Sequence, residues 1–231
     1  MRVLLVGHGK MGRLVESLAA EFGCEIAGAL DSRSADGPEG IESTRWHDVD
    51  VAIDFSTPAA VVSNVPKLAK RGIQLVVGTT GWQEHAPALH AAVDQARVGI
   101  VAAPNFSTAV VVLEALVRSA AGLFAQREEF GAWIHELHHA AKKDAPSGTA
   151  LMLQRAMHAA GYARPVDVTS TRAGHIPGTH VVGFDGPSET LTLTHSARDR
   201  SAFARGALVA ARWIQGRRGW FTMQDVLGIA Q

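Results

Sequence analysis

The sequence predicts an α/β protein, in which a doubly wound parallel sheet is followed by a second, α+β domain. Short apolar segments alternate with helical segments up to Ser107. Beyond that residue, strand-like segments follow one another with a single clear helix between them, which is typical of an α+β arrangement. The chain has 231 residues, enough for two modest domains.

The first part of the chain supplies the alternating pattern. Val3–Val6 is a short apolar strand that stops at Gly7, and the apolar residues of 11–22 have helical spacing. We expect further strands at 25–30, 50–55, 73–77 and 98–102, helices over 58–71 and within 83–97, and a loop at 32–40. Ligands bind beyond the carboxyl ends of parallel strands, so the turns after these strands should form one crevice.

The second part is richer in strands. A helix is expected over 108–124 and another over 147–160, with strands at 131–138, 166–172, 180–184 and 189–196. Asp185-Gly186-Pro187 predicts a tight turn between the last two strands. A final helix over 202–215 and a tail over 220–229 follow.

Composition excludes several classes of protein. Lys and Arg number 22 and so do Asp and Glu, which argues against a general nucleic-acid or anionic-membrane binder. Cys24 is the single cysteine, so neither an intramolecular disulfide nor a cysteine-cluster metal site is possible. Glu114 and Arg118 interrupt the longest apolar stretch, and the N-terminus lacks the pattern of a signal peptide. We therefore expect a cytoplasmic protein without a membrane span.

A glycine-rich loop follows the first strand and opens the first helix. Its residues are Gly7, His8, Gly9, Lys10, Met11 and Gly12, which fit the G-x-G-x-x-G pattern. Gly7 permits a tight turn, Gly9 lets a pyrophosphate approach the backbone, and Gly12 lets helix and strand pack closely. The alternative is a strand-to-helix turn that binds nothing. The order strand, loop, helix and acidic residue favours dinucleotide binding.

Asp31 and Arg33 bear on which dinucleotide is bound. Asp31 ends the second strand about 20 residues after Gly12, where a carboxylate accepts hydrogen bonds from the adenosine ribose. That charge favours NADH because it repels a 2′-phosphate. Arg33, helped by Lys10, could bind the 2′-phosphate of NADPH, although Arg33 could equally be a solvated loop residue. The sequence leaves both cofactors open.

The densest group of chemically active side chains lies between residues 136 and 150. His138, His139, Lys142 and Lys143 precede Pro146-Ser147-Gly148-Thr149, which opens a helix. Imidazoles, ammonium groups and helix N–H groups together suit a small polyanion, and a histidine or lysine can supply a proton. Surface histidines and a solvated lysine run, Lys143 above all, are the alternatives. A metal site is not expected, because adjacent histidines on a strand point to opposite faces and no third ligand is evident.

Several of these motifs in this order resemble one known family. They are the loop ending in Lys10-Met11-Gly12, Gly78-Thr79-Thr80-Gly81, Ala103–Ser107, Glu136-x-His138-His139-x-x-Lys142-x-Asp144-Ala145-Pro146-Ser147-Gly148-Thr149-Ala150, and Arg200-x-x-Phe203-Ala204-x-Gly206-Ala207. Over essentially its whole length the chain resembles 4-hydroxy-tetrahydrodipicolinate reductase. The resemblance implies a Rossmann-like dinucleotide-binding domain at 1–107, completed by 200–231. It also implies a substrate-binding and oligomerisation domain at 108–199, and a homotetramer.

The resemblance also implies an activity and residue roles. The activity is hydride transfer from NADH or NADPH to a small cyclic dicarboxylate in diaminopimelate and lysine biosynthesis, without a metal. His138 matches the family's proton donor/acceptor and Lys142 its proton donor, while His139, Gly148 and Thr149 match substrate-binding positions. Contacts near the nicotinamide are implied for Gly78, Thr79, Thr80, Ala103, Pro104, Asn105 and Phe106, and Thr80 is also expected beside the substrate.

The sequence departs from the family pattern at two places, and it leaves two alternative functions open. The glycine loop is one residue shorter than the longer form common in the family, and Arg33 replaces an arginine directly after Asp31; both bear on cofactor preference. A different small Rossmann reductase of amino or semialdehyde acids would explain the glycine loop but not the segment from His138 to Thr149. A non-enzymatic dinucleotide sensor would need an output module, and none is evident in the sequence.

Overall fold

The computed structural model describes residues 1–31 and 39–229 and divides into two compact units. The first unit joins Met1–Thr108 to Ser201–Gln231, and the second is Ala109–Arg200. A parallel sheet with helices forms the first unit, and a mixed sheet with helices forms the second. The predicted fold class is therefore confirmed.

Six parallel strands form the sheet of the first unit. They are β1 (Arg2–Val6), β2 (Glu25–Leu30), β3 (Val51–Asp54), β4 (Gln74–Val77), β5 (Gly99–Ala102) and β10 (Gly219–Phe221), in the order β10-β5-β4-β3-β1-β2. The chain goes from β1 to one edge to form β2 and then returns to the other side of β1 to form β3. The strand order therefore reverses at β1, and this reversal marks a binding crevice in open parallel sheets.

In the residues that the structure describes, five α-helices accompany this sheet: α1 (Lys10–Leu18), α2 (Pro58–Lys70), α3 (Ala86–Ala96), α6 (Ser201–Trp213) and α7 (Met223–Val226). The helix predicted over 11–22 is shorter than expected, since it continues from Leu18 as a 3₁₀ turn, Ala19–Phe22. The tail was predicted without a strand, but Gly219–Phe221 pairs with β5 and extends the sheet. Of the loop predicted at 32–40, residues 32–38 lie outside the described part of the chain, and a 3₁₀ turn, Glu39–Glu42, follows.

A mixed four-stranded sheet forms the second unit. Its strands are β6 (Gly131–His138), β7 (Val166–Arg172), β8 (Thr179–Asp185) and β9 (Thr190–Ser196), in the order β7-β6-β8-β9. The helices α4 (Thr108–Phe124) and α5 (Gly148–Ala159) pack on one face, where Val117 and Leu153 meet Ile134 and Val182. In the described parts, 1–31 and 39–229, every helix is too short or too polar to cross a membrane.

Two helical glycines, one in each unit, provide a matched test of how closely backbone packs against α6. A Cβ at Gly206 in α6 would overlap the carbonyl oxygen of Phe106, whereas a Cβ at Gly122 in α4 would lie 3.7 Å from the Ala160 oxygen. We expect Gly206→Ala to destabilise the fold by at least about 2 kcal/mol, because backbone must move. Gly122→Ala should stabilise its helix by about 0.5–1 kcal/mol. Calorimetric melting compares the two variants, and equal Tm values would contradict the packing at Gly206.

Candidate functional site

A cleft of about 630 Å³ opens beyond the carboxyl ends of β1, β2 and β3. Gly7 and Gly9 line it from the first turn, Asp31 from the end of β2, and Ser56 and Asn64 from the turn after β3 and from α2. The cleft thus lies where the strand order reverses, which is the position at which open parallel sheets bind nucleotides.

The glycine loop has the shape of a phosphate cradle. Gly7 has φ +93°, and a Cβ there would overlap the Phe55 carbonyl oxygen. A Cβ at Gly12 would overlap the carbonyl oxygen of Gly7, so the helix start packs directly on the turn. A Cβ at Gly9, in contrast, would meet no heavy atom within 4 Å. The two tight glycines shape the turn, and the middle one leaves its backbone open to a ligand.

The first helix points its N-terminus at this loop. Gly9 is the N-cap of α1 and contributes no side-chain hydrogen bond, so the helix start is available to an anion. Lys10 and Met11 begin the helix, and His8 lies beside it with Nε2 2.7 Å from a Glu16 oxygen. The cleft, the open backbone at Gly9 and the uncapped helix together fit the pyrophosphate of a dinucleotide.

The structure describes only one of the two residues that bear on cofactor preference. Asp31 is half-buried and lines the cleft directly after β2. Arg33, expected to bind a 2′-phosphate, lies outside the described residues.

A buried carboxylate, Asp54, connects the turns after β3 and β4. It is 1% exposed, and its Oδ1 accepts hydrogen bonds from the Ser56 N–H (2.9 Å), the Ser56 hydroxyl (2.7 Å) and the Thr79 hydroxyl (2.9 Å). Burial raises the pKa of Asp54, and these hydrogen bonds oppose the rise. Asp54 therefore fixes the Gly78–Thr80 turn relative to the cleft wall.

The turn after β5 also packs against the cleft. The ring of buried Phe106 meets that of Phe55 edge-on, with centroids 6.1 Å apart, and Phe55 lines the cleft. Asn105 Oδ1 accepts the Ser107 N–H at 2.8 Å and shapes the turn. Ala103 is buried, whereas Pro104 and Thr80 are exposed. The turns after β1, β2 and β3 thus line the cleft, whereas the turns after β4 and β5 do not line it and are linked to it only through Asp54 and Phe55.

A second polar cluster lies in the second unit, on the helix-covered face of its sheet. Glu136 and His138 are two residues apart on β6, so their side chains share a face. Glu136 is fully buried, and its carboxylate accepts a short hydrogen bond from His138 Nδ1. Arg172, at the end of β7, donates to both carboxylate oxygens at 2.6 and 2.9 Å. The backbone N–H of Ser147 adds a bond of 3.2 Å.

These contacts control the protonation of both residues. Burial alone would raise the pKa of Glu136, but the hydrogen bonds from Arg172, Ser170 and His138 lower it to about 2. Burial lowers the pKa of His138, and the charges of Lys142 and Arg172 lower it further, against the hydrogen bond to Glu136. The cluster therefore combines an ionised carboxylate with an imidazole that releases its proton readily.

The other residues of this unit predicted for the substrate site lie in the segment after β6 and in the first turn of α5. Lys142 Nζ contacts both oxygens of Asp144, at 2.6 and 2.8 Å, and this contact lowers the pKa of Asp144. An ammonium has three N–H donors, so Lys142 keeps donor capacity for a ligand. Ser147 caps α5 by accepting the Ala150 N–H at 3.2 Å. Gly148 and Thr149 form the first turn of α5, and His139 directly follows β6.

Two more histidines extend the cluster. Buried His180 on β8 lies 3.1 Å from the Ser147 hydroxyl through Nε2, and burial with the charges of His138 and His195 lowers its pKa to about 4. No third metal ligand was evident from the sequence beside His138 and His139. Glu136, His138 and His180 present ligand atoms within 4.8 Å of one another. Arg172 already engages both Glu136 oxygens, so the contacts favour an ion-paired network over a metal site.

Comparison with protein families covers nearly the whole chain. The family model described as dihydrodipicolinate reductase, N-terminus, matches residues 1–106, and the one described as dihydrodipicolinate reductase, C-terminus, matches residues 109–227. The chain belongs to the dihydrodipicolinate reductase family. The resemblance inferred from the motifs is therefore confirmed.

Individual relatives agree over their full length. The 4-hydroxy-tetrahydrodipicolinate reductase of Afipia carboxidovorans is 38% identical, over 99% of this chain and 97% of the relative. That of Christiangramia forsetii is 32% identical, over 98% of each chain. A dipicolinate-bound dihydrodipicolinate reductase from Paenisporosarcina sp. TG-14 has the same fold, with a TM-score of 0.85 at 20% identity over 97% of this chain and 98% of that one.

Three residues around the cleft and the second polar cluster were not singled out from the sequence: Asp54, Arg172 and His180. Asp54 had a usable signal, since a carboxylate at the end of an apolar strand, two residues before a serine, is well placed to organise a turn. Arg172 and His180 had no such signal. They reach Glu136 and His138 only because β7 and β8 flank β6 in the sheet, and sequence does not reveal that register.

Gly9 allows a direct test of the cofactor cleft. We expect Gly9→Ala to leave the Tm unchanged, because its Cβ points into open space, but to weaken NADH binding at least about tenfold by obstructing the pyrophosphate. Gly131→Ala is the matched control, since its Cβ also meets no atom within 4 Å but lies in the second unit. Binding is measured by NADH fluorescence. Equal Kd values for the two variants would contradict the placement of the cofactor at Gly9.

Proposed function

We propose that this chain is an NAD(P)H-dependent 4-hydroxy-tetrahydrodipicolinate reductase, which forms tetrahydrodipicolinate for diaminopimelate and lysine biosynthesis. Full-length similarity to curated reductases of that name supports the reaction. The observation that carries the proposal is the cluster of Glu136, His138 and Lys142 beside the N-terminus of α5, because it combines a proton donor with partners for carboxylates.

We assign the two halves of the reaction to the two units. The first unit binds the dinucleotide through Gly7–Gly12, Asp31, Gly78–Thr80 and Ala103–Phe106. The second unit binds the dicarboxylate through His139, Lys142 and the N–H groups of Gly148 and Thr149, where a helix start favours negative charge. Thr80 is proposed to contact the substrate as well.

The chemistry needs one hydride and one proton. When bound, the dihydronicotinamide supplies the hydride and is oxidised. His138 supplies the proton, since reduction of the ring leaves negative charge that a nearby acid can neutralise. The product lacks the 4-hydroxyl group of the substrate: this group takes up a proton and leaves as water, and the neighbouring ring carbon releases a proton in exchange, so that the elimination consumes no proton overall. Lys142 binds a carboxylate of the substrate and is the second proton donor of the site.

A coupled assay tests the activity. The upstream synthase makes the substrate from pyruvate and aspartate semialdehyde, this protein is added with NADH or NADPH, and nicotinamide absorbance is followed. We expect oxidation that depends on the synthase. His138→Gln and Lys142→Ala should each lower kcat by at least about 100-fold with NADH binding retained, because each removes a proton donor.

Lys143→Ala is the control for Lys142→Ala, since Lys143 is an exposed neighbour outside the proposed site. Near-normal turnover in His138→Gln or Lys142→Ala would overturn the assigned role. A folded protein that binds NADH but oxidises none would indicate a dinucleotide-binding protein with another substrate or a sensing role.

Asp31 is proposed to accept hydrogen bonds from the adenosine ribose of NADH. We expect Asp31→Ala to weaken NADH binding more than NADPH binding, because the lost carboxylate binds the ribose hydroxyls and repels a 2′-phosphate. Titration of both cofactors measures the ratio of their Kd values. Asp167→Ala, an exposed carboxylate in the second unit, is the control. An unchanged ratio in Asp31→Ala would remove Asp31 from the ribose site.

We propose that the second unit also assembles a homotetramer. The sheet face opposite α4 and α5 carries Trp133, His135, Leu137 and Val181, all half-buried in the single chain. A sheet face with an aromatic and aliphatic centre is suited to association with further copies. Light scattering should therefore give four times the chain mass, and a monomer at working concentration would refute the assembly.

A further inference from the structure

We propose that Glu136 is a positioning residue for proton transfer at His138: its carboxylate holds the Nδ1 edge of the imidazole, so that Nε2 is the atom that exchanges the proton. The inference rests on the proposed function, in which His138 is the proton donor. It assigns the donor atom and the group that controls it.

The hydrogen bond between the two side chains fixes the histidine tautomer. Glu136 is fully buried, and with a pKa of about 2 it is ionised at neutral pH. An ionised carboxylate accepts hydrogen bonds and cannot donate one, so His138 Nδ1 must carry the hydrogen between them. Neutral His138 therefore has its lone pair on Nε2, and protonated His138 has an Nε2–H to give.

The carboxylate is itself immobilised from three elements. Glu136 comes from β6, Arg172 from β7 holds both oxygens in a fork at 2.6 and 2.9 Å, and the Ser147 N–H at the start of α5 binds one of them at 3.2 Å. A carboxylate held at both oxygens cannot rotate away from the imidazole. The ring orientation of His138 is therefore set by backbone elements of the sheet and of the helix start.

The Nε2 side of the ring faces a glycine. Gly178, which precedes β8, has φ +149°, and a Cβ at this position would lie 3.0 Å from Nε2. The side chain of His138 is 12% exposed, so the ring is buried apart from a small portion. A glycine at 178 thus keeps space beside the atom to which we assign proton exchange.

Charged and titratable groups face His138 from each neighbouring element. Glu136 shares its strand, Arg172 lies on β7, His180 on β8 at a ring-centroid distance of 5.2 Å, and Lys142 in the segment after β6. Lys142 and Arg172 disfavour a second positive charge, as does burial, and Glu136 favours it. Neutralising Glu136 must therefore make protonated His138 less stable.

The pH dependence of the reaction tests this inference. A proton donor must be protonated, so kcat/KM falls as pH rises above the pKa of the donor. In Glu136→Gln we expect this falling limb to move to lower pH by about 1–3 units, because a neighbouring negative charge is lost. The substrate is formed in advance with excess synthase, so that the synthase does not set the profile. An unshifted limb with a uniformly lower rate would indicate a merely structural role.

Glu136→Asp is the matched variant, because it keeps the charge and shortens the side chain by one methylene. Its falling limb should lie between those of the parent protein and Glu136→Gln. If Glu136→Gln does not fold, Glu136→Asp alone carries the test, with a smaller shift in the same direction. A shift in Glu136→Asp as large as that in Glu136→Gln, or no shift in either folded variant, would overturn the inference.

Direct titration of the histidine separates this inference from the proposed function. NMR of histidine ring carbons gives the pKa of His138 without turnover, and the His138 resonance is identified by its loss in His138→Gln. We expect a lower pKa for His138 in Glu136→Gln than in the parent protein. An unchanged pKa overturns the role of Glu136. A lowered pKa with an unmoved rate limb overturns instead His138 as the donor, and with it any part for Glu136 in the reaction.

Discussion

A carboxylate without solvent contact must find positive charge or hydrogen-bond donors inside the protein, and Glu136 imposes this requirement on the second unit. Arg172, His138 and the Ser147 N–H satisfy it, and they come from β7, β6 and the start of α5. Strand pairing, helix placement and imidazole orientation are therefore coupled through one buried group. The same contacts that compensate the charge also orient the imidazole of His138.

The first unit meets a comparable requirement around Asp54. Its buried carboxylate accepts from Ser56 and Thr79, so two strand-end turns share one acceptor. Gly7 and Gly12 shape the turn after β1, because a Cβ at either position would overlap neighbouring backbone atoms. Both units thus contain, near the carboxyl end of a strand, a buried acid that binds groups from neighbouring elements.

Local patterns predicted most of the elements well. Glu25–Leu30, Thr108–Phe124 and Gly131–His138 were predicted with the bounds that the structure has, because each has clear periodicity between strong start and stop signals. The C-terminal strand Gly219–Phe221 was missed, since three residues are too few for a period to be visible. Its strand conformation depends on pairing with β5, which lies more than a hundred residues earlier in the chain.

The sequence by itself determined the fold class, the glycine loop, the family and the segment that carries His138 and Lys142. Those features are local in the chain, and their residue types and spacing carry the chemistry directly. Only the tertiary structure decided which side chains surround the histidine. Arg172 and His180 are placed by the register of β7 and β8 against β6, and register follows from the packing of whole strands and helices. No spacing along the chain encodes that packing, so the partners that tune the imidazole appear only once the sheet is assembled.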